Sequence, residues 1–202
     1  MSIRPIKFQS GATPTMEGAG VHLHRVFGFG DTDMFDPFLM MDDFRNDDPE
    51  QYLKGFPWHP HRGIETITYV LKGNVEHADS LGNKGVLSDG DVQWMTAGSG
   101  IIHQEMPTGN AAGQMHGFQL WANLPRDQKM CTPRYQDVKS ADISSLTDDD
   151  GTHIRVIAGD YRGYCGPVDG IDTDPIYLDI AMPANSTRRF PFDTRRQGFA
   201  YI

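Results

Sequence analysis

Cysteine is scarce in this chain of 202 residues: the only two are Cys131 and Cys165. They are too few for a disulfide framework and lack the CxxC spacing of a thiolate metal site. A reducing compartment is the expectation. No apolar run approaches the ~20 residues of a membrane-spanning helix, and the opening MSIRPIKFQSG lacks the apolar core of a signal peptide. The expected location is the cytoplasm, with the nucleus added if the source is a eukaryote. Basic charge is also short, with 18 Lys and Arg against 27 Asp and Glu and a net charge of −9. That balance argues against nucleic acid as a direct ligand, because phosphate binding draws on concentrated Lys and Arg. The densest basic cluster, Arg188-Arg189 with Arg195-Arg196, is broken by Phe, Pro and Asp and reads as solvated surface. Extended helical periodicity is missing as well.

What is present is β structure. The 22 glycines and 13 prolines, in a chain 38% hydrophobic and 22% charged, suit a turn-rich soluble domain better than a helical bundle. Residues 65–71 (ETITYVL) are rich in β-branched and aromatic types and run into the turn signal Lys72-Gly73-Asn74. Strands are expected at 75–79, 86–87, 92–95, 101–105 and 115–123. The turns between the first of these are Leu81-Gly82-Asn83 and Asp89-Gly90-Asp91. Short strands with regular turns predict a sandwich or small barrel. Residues 31–49 read as irregular, with 36–42 packed against that barrel. The polar stretch 125–151 reads as a link to a second unit starting near His153.

Two pairs of ligand-type residues lie in this pattern, His59-Pro60-His61 and His103-Gln104-Glu105. On a strand, residues i and i+2 share a face, so each pair can aim both side chains into one interior. The second pair follows the glycine-rich Ala97-Gly98-Ser99-Gly100. Three imidazoles and one carboxylate suit Fe(II), Mn, Ni, Cu or Zn, and the absence of cysteine argues against a structural zinc site. His22-Leu23-His24 has the same spacing but no matching partner pair, and reads as structural.

The strings His59-Pro60-His61-Arg62-Gly63-Ile64-Glu65-Thr66 and Gly90 to Pro107 (GDVQWMTAGSGIIHQEMP) closely resemble the pirin family of the cupin superfamily. Asp36-Pro37-Phe38-Leu39, Asp42-Asp43-Phe44 and residues 118–125 (FQLWANLP) resemble pirin segments too. The resemblance implies an all-β bicupin of double-stranded β-helix (jelly-roll) barrels, with Fe(II) in the N-terminal barrel. It implies His59, His61, His103 and Glu105 as the metal ligands, and leaves Glu65 a supporting or structural residue. The expected division is 1–134 for the metal-binding cupin with an N-terminal extension. Residues 135–202 are then the linker and the start of a second cupin.

Pirins are longer than this chain, which ends at Phe199-Ala200-Tyr201-Ile202 within an apparent strand. Aligning residues 200–202 with 68–70 puts Pro191 and Asp193 where the first barrel has His59 and His61. The second barrel is therefore expected to be metal-free and incomplete. Either the sequence is a truncated product or a partner chain covers its apolar edge, and the expectation is a chain that aggregates or forms a homodimer.

As to activity, the resemblance implies a quercetin 2,3-dioxygenase, cleaving a flavonol-like substrate with dioxygen and releasing carbon monoxide. Glu105 would act as the catalytic base, and Trp94, Met95 and Phe118 are candidates for the pocket lining, although aromatic residues in strands usually pack and Trp94 and Phe118 read first as core. The alternative it implies is a non-enzymatic, iron-dependent regulator docking on a transcription factor or metabolic enzyme.

Overall fold

The computed structural model describes residues 3–202. Strands β1 (Thr13–Glu17), β2 (Val21–Phe27) and β3 (Phe38–Asp43) open the chain, and a single helical turn, Thr32–Phe35, lies between the last two. Next come β4 (Phe56–His61), β5 (Ile64–Lys72), β6 (Val75–Asp79), β7 (Lys84–Leu87), β8 (Val92–Thr96), β9 (Ile101–Pro107) and β10 (His116–Asn123). The last third supplies β11 (Arg134–Val138), β12 (Ser144–Thr147), β13 (His153–Ala158), β14 (Asp160–Tyr161), β15 (Tyr164–Cys165) and β16 (Tyr177–Ala181). No helix among the described residues is long and apolar enough to cross a membrane.

These strands form a seven-stranded sheet in the order β1-β2-β3-β10-β5-β8-β11 and a four-stranded sheet in the order β4-β9-β6-β7. The two face each other. Val21, Leu23 and Val70 of the large sheet pack with Val75 and Leu87 of the small one at one end of the interior. Met95, Ala97 and Ile101 close the other end. The jelly-roll expectation is met as an open sandwich of two sheets rather than a closed barrel.

Alternation sets which side chains reach that interior. On β5, Thr68 faces inward and Ile67 and Tyr69 face outward, into a second core that includes Met41, Val92, Trp94 and Leu120. Residues of the last third, including Ile143, Ile157 and Val168, cover this outer face. The remaining strands make a three-stranded sheet β12-β13-β16 and the hairpin β14-β15.

Several expectations need correction. Residues 31–49 are not irregular throughout, since β3 lies inside the large sheet, bonded to β2 on one side and β10 on the other. The stretch 125–151 is not all linker either: β11 pairs with β8, so the expected division after residue 134 falls at the start of a strand of the large sheet. Residues 200–202 form no strand. With no neighbouring strand to bond there, their side chains do the packing instead. Tyr201 donates its hydroxyl to Asp43 at 2.9 Å and sets its ring edge-on to Phe118. Phe199 packs against Phe27, Phe35 and Phe38. The small C-terminal sheet is edged by β12 and β16.

Candidate metal centre

β4 and β9 lie side by side, and their register sets His59 directly opposite His103 and His61 opposite Ile101. The turns leading into them are tied together. Gly63, which ends the turn after His61, donates its N–H to the carbonyl of Gly98 at 2.8 Å. Gly98 itself has φ +49, and a Cβ there would stand 2.2 Å from the carbonyl oxygen of Cys131. Only glycine fits that approach, which explains the glycine-rich entry to β9.

The result is convergence. The rings of His59 and His103 are 4.5 Å apart, His59 and His61 4.8 Å, and His61 and His103 5.0 Å. One nitrogen from each of the three lies within 4.8 Å of the others. His103 is fully buried and His61 nearly so. His59 Nδ1 lies 2.8 Å from the carbonyl oxygen of Pro57. Donation there fixes the tautomer and leaves Nε2 with a lone pair to offer.

Neither His61 Nε2 nor either nitrogen of His103 has a hydrogen-bond partner among the described residues. Buried polar atoms left without partners cost ~1–3 kcal/mol each, so their clustering calls for a ligand. Burial, with His103 and His59 adding to it, pushes the His61 pKa down to about 3. Burial lowers that of His103 as well, against the opposing pull of Glu105. Both rings are therefore neutral near pH 7, the form that coordinates a cation. The donor set fits a divalent metal.

Glu105 is not one of the three converging groups. Its Oε2 lies 4.0 Å from His103 Nε2. The Thr68 hydroxyl donates to Oε1 at 2.6 Å and the Gln119 amide to Oε2 at 3.2 Å, one donor for each oxygen. Glu65 lies on the other face of β5, where its Oε1 accepts from the Thr96 hydroxyl at 2.8 Å. It is far from a role at the imidazoles, and burial raises its carboxyl pKa. His22 and His24 are exposed on β2, as their structural reading predicts. Trp94 and Phe118 pack in the outer core and line no part of the centre, while Met95 does face the interior.

Sequence reasoning missed the polar row beneath the imidazoles. Arg25 pairs across the sheet with Asp42, Asp42 with Gln119, Gln119 with Thr68, Thr68 with Gln93 and Gln93 with Asp137. Asp42, Thr68 and Gln93 are all buried. His77 also went unnoticed. It is buried opposite Glu105 on β6, with Nε2 3.5 Å from Asp137. The available signal was polar residues at alternate positions of otherwise apolar strands. Gln119→Leu tests the row: removing one donor from the Glu105 carboxylate should weaken metal binding by ~10–100-fold, read by competition titration with a chelator. Unchanged affinity would show that the amide contributes nothing to the centre.

The Pirin family description matches residues 20–122. The chain belongs to the pirin family. A pirin-like protein of Caulobacter vibrioides is 46% identical over 203 residues, an alignment covering 100% of this chain and 73% of the relative. The crystal structure of a quercetin 2,3-dioxygenase from Acinetobacter baumannii superposes with a TM-score of 0.69 at 36% identity, over 82% of this chain and 61% of that one. A nickel(II) complex of a bacterial pirin from Escherichia coli gives a TM-score of 0.51 at 27% identity, over 71% and 68% of the two chains. The chain thus spans roughly six to seven tenths of the length of these pirins. Its double-sheet sandwich is the cupin architecture they share.

Proposed function

We propose that this pirin binds a divalent metal, with iron(II) the ion its chemistry calls for, through His59, His61, His103 and Glu105, and that the loaded site cleaves a flavonol as a quercetin 2,3-dioxygenase does. The observation that carries the reading is the meeting of three imidazoles, two of them buried with unpartnered nitrogens, beside a carboxylate held by two donors. The dioxygenase from Acinetobacter baumannii, similar over most of this chain, supports the reaction class, and the nickel-bound pirin supports a metal at such a site.

Bound iron would supply Lewis acidity toward the substrate oxygens and the redox capacity for dioxygen chemistry. The protein's part is to position and to move a proton. Glu105 Oε2 accepts the proton of the flavonol 3-hydroxyl, and the donors from Thr68 and Gln119 keep the carboxylate in place for it. Met95, Ala97 and Ile101 close one end of the interior with apolar surface and limit water there. The overall change consumes one flavonol and one dioxygen and yields the ring-opened ester and carbon monoxide.

The test is anaerobic loading with iron(II), followed by quercetin and dioxygen, with carbon monoxide measured against quercetin consumed. The expected result is one carbon monoxide per flavonol. A folded, iron-loaded chain that leaves quercetin intact would sink the dioxygenase reading and turn attention to the iron-dependent regulator.

A further inference from the structure

Trp121 stands on β10 in the inward-facing set, opposite Thr66 of β5 and Met40 of β3. Its indole ring lies 4.9 Å from the His61 ring, nearly perpendicular to it at 79°. The indole N–H is buried and has no acceptor among the described residues. The ring also meets Phe29, at 5.9 Å and 60°. Phe29 is 63% exposed, an unusual position for a phenylalanine with a partner ring at hand. It also walls a cleft of about 360 Å³ lined by Thr13, Thr15, Arg25 and Asp31, a volume within the range of small-molecule sites.

An indole can only donate, so this N–H needs an oxygen from outside the protein. The indole lies against the His61 ring, whose metal-binding nitrogen converges with those of His59 and His103. A ligand holding the metal with one oxygen and reaching the indole with a second would satisfy both demands. The exposed Phe29 ring would flank any further aromatic surface such a ligand carried.

Resting on the metal-site reading above, we propose that Trp121 is a substrate-positioning residue. Its N–H donates to the keto oxygen of a planar ligand bearing adjacent hydroxyl and keto groups, and Phe29 packs against the ligand's remaining rings. The pair selects for an extended aromatic hydroxy-ketone over a small chelator.

The test compares the wild-type chain with Trp121→Phe and Phe29→Ala, each loaded with iron(II) and held without oxygen. Two ligands are titrated by their absorption change: quercetin, and tropolone as a small hydroxy-ketone without additional rings. Trp121→Phe keeps the aromatic ring and should keep its metal, while its Kd for both ligands rises about tenfold, near the upper end for one neutral hydrogen bond. Phe29→Ala changes an exposed side chain, so the fold is not at risk. It should weaken quercetin several-fold and leave tropolone unchanged. Equal affinities of wild type and Trp121→Phe for both ligands would overturn the proposal and leave the metal-site reading standing. Metal-loaded wild type that binds neither ligand would overturn the proposal and the flavonol reading of the site together.

Discussion

His103→Ala should abolish metal uptake and, with it, the rise in melting temperature that metal gives the wild type. His103 is the most enclosed of the three imidazoles, fully buried and directly opposite His59 across the β4–β9 ladder. Its removal leaves two histidines from a single strand, with no third nitrogen to close the set. Residues that merely support such ligands are worth ~10–100-fold in affinity, so loss of a ligand should cost more than about a hundredfold. The folded chain without metal should lose little, because the imidazole deleted has no protein partner on either nitrogen. Wild type at a hundred times its Kd in metal should gain about 2.7 kcal/mol by mass action; His103→Ala should gain nothing measurable. His22→Ala, altering an exposed histidine on β2, is the control that should keep both metal and thermal shift. Metal content and melting curves with and without nickel(II) read the outcome. A His103→Ala chain that retains stoichiometric metal would remove the residue from the centre.

The imidazoles were legible in the sequence because their geometry is local. His59 and His61, and likewise His103 and Glu105, share a face by the period of two alone, and the glycines before β9 announced a tight entry. What brings the two pairs together is a ladder between β4 and β9, a contact that no local pattern specifies. Thr68 and Gln119 were hidden because their role exists only across the sandwich, where they meet a carboxylate from the opposite sheet. Which face Trp94 takes could not be read locally for a related reason. A one-residue change in register exchanges the two faces of a strand, and nothing local fixes how β8 lies against β5. β3 was missed because Asp42-Asp43 resembles a loop. The guanidinium that lets Asp42 enter the interior comes from β2, across the sheet.

That guanidinium carries the second large effect. Arg25 grips Asp42 with two hydrogen bonds, Nε to Oδ1 at 2.9 Å and Nη2 to Oδ2 at 2.8 Å, and also reaches Glu17 at 3.0 Å. Asp42 is 3% exposed, so Arg25→Met leaves a carboxylate inside the sandwich with no counter-charge. Breaking such a pair from one side costs ~3–5 kcal/mol, and the partial exposure of Arg25 places the value toward the lower end. The loss should depend on pH in a definite direction. In the wild type, burial raises the Asp42 pKa above the usual carboxylate range even though Arg25 pulls it down; without Arg25 it must rise further. A carboxyl with a raised folded pKa holds its proton more tightly when folded. Its favourable contribution is complete below the unfolded value of about 3.9 and is lost as pH climbs through the folded value. Urea midpoints of wild type and Arg25→Met should therefore lie far apart at neutral pH and draw together toward about pH 4. Adding Asp42→Asn to Arg25→Met removes the charge altogether and should recover much of the stability at neutral pH. A gap between the two chains that stays constant from neutral to acid pH would show that Arg25 acts by packing its stem, and that the buried charge is stabilised by other groups.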